Sequence, residues 1–92
     1  MKTVKLNRNS SVVYGRSSQC GIQVPGMYTC VSRCQCVITL MEGKGVVITD
    51  LFSANGTELV VDGMGKLLRQ GESKMISLNT KEVILMPITL SG

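Results

Sequence analysis

Three short polar segments carry the side chains of this sequence that are best suited to binding chemistry. They are Gly15-Arg16-Ser17, Val31-Ser32-Arg33 and the stretch from Asp50 to Thr57. The guanidinium of Arg16 is planar and always charged, and it can donate hydrogen bonds to two oxygens of an anion at once. A hydroxyl such as that of Ser32 can donate to a further oxygen. Each segment alone is more often a surface charge or a turn, so the interpretation needs a fold that brings all three together.

The sequence offers little for catalysis. It contains no histidine, which removes the commonest general base and the commonest nitrogen ligand of metals. A Gly-x-Ser-x-Gly elbow, a Walker-type Gly-Lys-Ser/Thr and a close pair of carboxylates are also missing. We therefore predict that the chain is not an enzyme and that it uses no cofactor.

The cysteines leave two interpretations open. Cys20, Cys30, Cys34 and Cys36 do not have the recurring Cys-x2-4-Cys spacing of zinc knuckles. Cys34 and Cys36 lie two apart on a predicted strand and would share one face, so small buried hydrophobic residues are the favoured interpretation. A zinc site that includes Cys20 is the minor alternative, and no metal is predicted.

Composition indicates one compact domain, residues 1–92, with 43% hydrophobic residues. Only Tyr14, Tyr28 and Phe52 are aromatic, so we expect an aliphatic core of Val, Ile, Leu and Met. The net charge of +4 comes from scattered basic residues, and stacking platforms for single-stranded nucleic acid are nearly absent. We expect neither nucleic acid nor membrane as a partner.

No secretory signal or membrane-length apolar run is visible in the sequence. The expectation is therefore an intracellular protein, cytoplasmic or nuclear, with reduced thiols.

Strand-like alternation dominates the rest of the chain, and turn residues such as Pro25-Gly26 and Asp62-Gly63 separate the strands. This pattern favours an all-β sandwich or barrel. Residues 64–73 look irregular, and Pro87 predicts that the closing stretch is an edge strand or leaves the sheet. The predicted strands are 2–6, 11–14, 22–24, 34–41, 46–49, 57–61, 75–78 and 83–86.

The order of the three polar segments resembles the forkhead-associated (FHA) domain, whose pattern is Gly-Arg, then Ser-x-x-His, then Asn-Gly. The resemblance covers nearly the whole chain, and the stretch from Asp50 to Thr57 is similar to the family's Asp-x-x-Ser-x-Asn-Gly-Thr. It implies a β-sandwich of two mainly antiparallel sheets with ligand-binding loops at one end. It also implies a phosphopeptide-binding module that recognises phosphothreonine in a partner protein, in signalling or assembly.

The resemblance assigns roles to individual residues. Arg16, Ser32 and Arg33 would bind the phosphate, and Asn55 would bind the backbone of the peptide. A phosphothreonine carries about −1.5 to −2 charges and three acceptor oxygens, which suits this set of donors.

Gly15, Gln35 and Gly56 would shape the loops. Gln35 stands where the family has His, but a carboxamide can both donate and accept, so it can replace the imidazole in part. Ala54 lacks the hydroxyl that many family members place before the Asn. One hydrogen bond to a charged group is worth about 1.5–3 kcal/mol, so its loss should weaken phosphate binding without abolishing it.

These two departures motivate an alternative hypothesis. The chain would then be a degenerate FHA-like scaffold that binds partners, or itself, independently of phosphate. The oligomeric state is left open.

Overall fold

The computed structural model describes residues 2–5, 11–77, 79–85 and 88–91. These residues form ten β-strands. The strands are β1 (Lys2–Lys5), β2 (Ser11–Gly15), β3 (Ile22–Gln23), β4 (Cys36–Met41), β5 (Gly45–Asp50), β6 (Thr57–Val61), β7 (Met64–Leu68), β8 (Ser73–Ser77), β9 (Val83–Leu85) and β10 (Ile88–Ser91).

The strands pair into two five-stranded sheets. The first has the order β1-β10-β9-β6-β7 and the second the order β3-β2-β4-β5-β8. Pairing is antiparallel except between β1 and β10 and between β2 and β3. The prediction of an all-β fold with two mainly antiparallel sheets is confirmed. Across the described residues, there is no helix long and apolar enough to cross a membrane.

The core contains residues from both sheets. The second sheet contributes Tyr14, Ile38 and Ile48, and the first contributes Leu59 and Leu85. The hydroxyl of Tyr14 donates to the carbonyl oxygen of Leu85 at 3.0 Å, which joins strands of the two sheets through a buried hydrogen bond. The expectation of an entirely aliphatic core was wrong at Tyr14, because the protein gives the buried phenol an acceptor.

The four methionines that the structure describes do not fill the core as expected. Met27, Met64 and Met75 are exposed, and Met41 is half-buried. Met1 and Met86 lie outside the described residues.

The chain also differs from the predicted boundaries at Cys34. This residue precedes β4, is exposed and does not share the inward face of Cys36. Alternation alone extended the strand too far, because Gln35 turns inward to bond the neighbouring loops.

Two other local expectations were wrong. Residues 64–68, predicted to be irregular, form β7, because the Asp62-Gly63 turn folds them back onto β6. The stretch after Pro87 is neither an edge nor outside the sheet, since β10 lies between β9 and β1. Pro87 itself is outside the described residues.

Strand register brings three chain segments to one end of the second sheet. Tyr14, near the end of β2, pairs with Cys36 at the start of β4. Cys36 in turn pairs with Asp50 at the end of β5. Antiparallel pairing therefore places the loops after β2, before β4 and after β5 beside one another. These are called the first loop (residues 16–21), the second loop (24–35) and the third loop (51–56).

Candidate functional site

The backbones of the first two loops are joined directly. The N–H of Arg16 donates to the carbonyl oxygen of Ser32 at 3.1 Å, and the N–H of Ser17 donates to that of Arg33 at 3.1 Å. The Nε of Arg16 also donates to the carbonyl oxygen of Val31. The half-buried guanidinium is thus fixed beside Ser32. Its terminal nitrogens have no hydrogen-bond partner among the residues that the structure describes.

The Ser32 hydroxyl links the second loop to the third. Its oxygen accepts a hydrogen bond from the N–H of Ala54 at 3.0 Å. A hydroxyl that accepts in this way keeps its own proton free to donate elsewhere. The guanidinium of Arg16 and this hydroxyl are therefore two donors held at one end of the sandwich.

Asn55 and Arg33 belong to the same end but are less constrained. The side-chain amide of Asn55 donates to the carbonyl oxygen of Cys30 at 3.3 Å, which ties the third loop to the second. The amide keeps a second N–H and its carbonyl oxygen for other contacts. Arg33 is exposed, and no described residue pairs with its guanidinium.

The buried side chain of Gln35 holds the second and third loops together. Its side chain is only 5% exposed. Its oxygen accepts from the N–H of Ser32 at 2.8 Å, and its nitrogen donates to the carbonyl oxygen of Gly56 at 2.6 Å and to Oγ1 of Thr57 at 2.9 Å. One carboxamide thus fixes the second and third loops through both of its functional ends.

Asp50 organises the third loop in a way that the sequence motif alone did not reveal. Its carboxylate accepts hydrogen bonds from the N–H and hydroxyl of Ser53, from the hydroxyl of Thr57 at 2.7 Å and from the N–H of Gly71 at 3.1 Å. The Asp-x-x-Ser spacing is a recognisable signal for a local side-chain-to-backbone bond. The bond from Gly71 depends on the pairing of β8 with β5, because Gly71 lies just before β8.

Hydrogen bonding sets the charge state of this carboxyl group. Burial raises the pKa of Asp50, but the bonds from Ser53, Thr57 and Gly71 outweigh it and bring the pKa below its ordinary value of 3.8. Burial, followed by the nearby charge of Asp50, raises the pKa of the Cys36 thiol to about 12. A negative charge on Asp50 and a neutral Cys36 are the stable states at neutral pH.

Two glycines allow the loops to approach. A Cβ on Gly15 would lie 2.1 Å from the carbonyl oxygen of Arg33, so any larger residue would push the first two loops apart. Gly56 has a φ of 75°, which favours glycine, and a Cβ there would lie 2.6 Å from the carbonyl oxygen of Leu68.

Two depressions flank the Asn55-Gly56 corner. A cleft of about 390 Å³ lies between the second loop and β6, with Cys30, Val31 and Glu58 in its lining. An open groove of about 460 Å³ lies on the other side, with Leu67, Arg69 and Gln70 in its lining. The sequence did not single out these groove residues, which meet the third loop only in the folded chain.

The sequence that forms these loops matches a known family. A family model described as FHA domain matches residues 12–87. The chain belongs to the FHA family. It is also similar to the crystal structure of the FHA domain of a Chlamydia trachomatis protein, with 25% sequence identity and a TM-score of 0.62. That similarity covers 87% of this chain and 71% of the other. No curated protein sequence gives a significant match.

Membership places the chain among phosphopeptide-binding interaction modules, a class that is not enzymatic. Within the described part of the chain, no three cysteine or acidic side chains are grouped so that they could hold a metal ion.

Proposed function

We propose that this FHA domain binds phosphothreonine-containing segments of a partner protein, in signalling or assembly. The observation that carries the proposal is the joint placement of Arg16 and Ser32. Their backbones are hydrogen-bonded to each other, and the terminal nitrogens of the guanidinium and the proton of the hydroxyl have no partner among the described residues.

This arrangement suits a phosphate dianion. The guanidinium can donate to two phosphate oxygens and the hydroxyl to one more, and charge-assisted bonds of this kind are about twice as strong as neutral ones. Because the carbonyl oxygen of Val31 already holds the guanidinium and the N–H of Ala54 already holds the hydroxyl, little conformational entropy is lost on binding. Arg33 is exposed next to Ser32 in the second loop, where it adds positive charge and could reach the phosphate or the peptide.

The backbone of the bound peptide would pass over the exposed Asn55 side chain in the third loop. The free N–H and carbonyl oxygen of the Asn55 side chain match the donor and acceptor of an extended backbone. A neighbouring peptide residue would then reach the groove lined by Leu67 and Arg69. An apolar wall beside a positive charge favours aliphatic or acidic side chains at that position.

The test is a binding titration with peptide libraries that differ only in one central residue: phosphothreonine, phosphoserine or threonine. We expect binding to the phosphothreonine library and little to the threonine library, and the phosphoserine library measures what the threonine methyl group contributes. Arg16→Ala should weaken it about 10- to 100-fold, since hydrogen bonds to a charged group are worth about 1.5–3 kcal/mol. Ser32→Ala should weaken it too.

The matched control is Lys44→Ala. Lys44 is exposed in the turn between β4 and β5, at the opposite end of these strands from the loops. Lys44→Ala removes one positive charge, as Arg16→Ala does, but leaves the binding loops unchanged. Equal affinity for phosphorylated and unphosphorylated libraries, or equal effects of Arg16→Ala and Lys44→Ala, would refute the proposal.

A second candidate function is a phosphate-independent scaffold. One observation favours it: the outward face of β2, β4, β5 and β8 has no charged residue and carries Val13, Val37, Val47 and Met75. If copies associate through this face, sedimentation should show an oligomer that Met75→Lys dissociates and Arg16→Ala leaves intact. A monomer at all concentrations would exclude self-association.

A further inference from the structure

Two of the four cysteines lie where the first and second loops touch. Cys20 ends the loop that carries Arg16, and Cys34 follows Ser32 and Arg33 in the next loop. The Cys20 thiol donates to the carbonyl oxygen of Arg33 at 3.1 Å. Arg33 directly precedes Cys34, so this bond places the Cys20 side chain beside Cys34.

The backbone holds this pair in place. Ser17 is bonded to Arg33, and the N–H of Cys20 donates to the carbonyl oxygen of Ser17 at 3.0 Å. A Cβ on Gly15 would lie 3.1 Å from the Cα of Cys34, which shows how closely the two segments pack. The fixed loops therefore hold the Cys20 side chain next to the backbone that leads into Cys34.

Accessibility differs between the two sulfurs. Cys34 is exposed, whereas Cys20 is largely buried. Burial, followed by the neighbouring Cys34, raises the pKa of the Cys20 thiol. Cys34 is thus the residue that an external reagent meets first, and Cys20 is the internal thiol that reacts second.

We propose that Cys20 and Cys34 form a dithiol that oxidises to an intramolecular disulfide across the two loops. The oxidant is a low-molecular-weight disulfide such as oxidised glutathione. The Cys34 thiolate attacks one glutathione sulfur, forms a mixed disulfide and releases one glutathione thiolate. The Cys20 thiolate then attacks the Cys34 sulfur and releases the second. Two protein thiols and one glutathione disulfide become one protein disulfide and two glutathione thiols.

The bond would close a loop of about 15 residues and constrain the unfolded chain. For a domain of this size, the expected rise in melting temperature is on the order of 10 °C, and a reductant should reverse it. The same bond would tie the segment bearing Arg16 to the one bearing Ser32. It requires no phosphopeptide, so its test is independent of the proposed function.

The experiment exposes the reduced protein to oxidised glutathione and follows intact mass, fragment mass and melting temperature. In the fragments that hold Cys20 and Cys34, wild type and the matched control Cys30→Ser, which alters an exposed cysteine of the second loop, should each lose two hydrogens. Both proteins should remain monomeric and melt at higher temperature. Cys34→Ser should neither lose these hydrogens nor melt at higher temperature, and Cys20→Ser should stop at the mixed disulfide. If Cys20→Ser does not fold, the exposed Cys34→Ser carries the test.

Three results would overturn the proposal. They are a mixed disulfide that persists on Cys34 of the wild-type protein, a requirement for Cys30, and fragment masses that join Cys20 to the buried Cys36.

Discussion

Replacing Gln35 with glutamate tests how far the binding loops depend on one buried side chain. The change keeps the size of the side chain and the oxygen that accepts from Ser32. It converts the nitrogen that donates to Gly56 and Thr57 into an oxygen. In the native protein the Gln35 nitrogen lies 2.6 Å from the carbonyl oxygen of Gly56. In the variant, an oxygen would face that carbonyl oxygen instead.

The magnitude follows from the two lost bonds. Leaving the buried carbonyl oxygen of Gly56 without its donor costs about 1–3 kcal/mol. The bond lost at Thr57 costs less, because the Thr57 hydroxyl still donates to Asp50. Repulsion between the introduced carboxylate and Asp50 adds to the cost. We expect the free energy of unfolding to fall by about 3 kcal/mol, from a typical total of about 5–15 kcal/mol. The melting temperature should fall by roughly 10–20 °C.

The assay is chemical denaturation followed by circular dichroism, with Gln19→Glu as the control. Gln19 is exposed in the first loop, so this variant changes the net charge equally without touching the contacts of Gln35. Burial should raise the pKa of the introduced carboxyl, and protonation restores a donor. The deficit should therefore be largest well above that pKa and shrink as the pH falls through it. A loss below about 0.5 kcal/mol, equal to that of the control, would refute the role assigned to Gln35.

Three other outcomes are expected. Gly15→Ala should lower the free energy of unfolding by about 2–3 kcal/mol because the added methyl group would collide with the Arg33 carbonyl. The control Gly26→Ala should not lower it, since a Cβ there has no neighbour within 4 Å. Equal melting temperatures of the two variants would contradict this. Tyr14→Phe should cost about 1–2 kcal/mol in denaturant titrations, since it removes a buried bond between the sheets. Because the folded pKa of Asp50 lies below 3.8, its contribution to stability is present above that pH and is lost as the pH falls through the folded value. Acid titration of Asp50→Asn should lack this loss, and a profile identical to wild type would show that Asp50 plays no part.

Local pattern was enough for eight of the ten strands and for the family, but not for β7 and β10. Period-two alternation reports which face of a strand is buried, and Asp62-Gly63 reports a turn, because both depend on neighbours in sequence. The order of Gly15-Arg16, Ser32 and Asn55-Gly56 predicted the FHA family without any contact being known, and the family match confirms it. The individual roles of these residues in binding stay predictions.

The prediction for Cys34 was wrong because burial at this point depends on contacts between residues that are far apart in the sequence. Cys34 continues the alternation of β4 by type, yet it is exposed because Gln35, its neighbour, turns inward to reach Gly56 and Thr57. Burial of the methionines could not be predicted either, since a strand position becomes surface or core only when the opposing sheet is in place.

The sequence by itself determined the local conformations and the three polar segments, because both are encoded in short-range residue types. Only the tertiary structure decided that these segments meet, since the register of β2, β4 and β5 places their ends side by side. It also decided which partners Gln35, Asp50 and Cys20 have. Those contacts join residues between 3 and 22 positions apart, and short-range pattern carries no information about the longer of these distances.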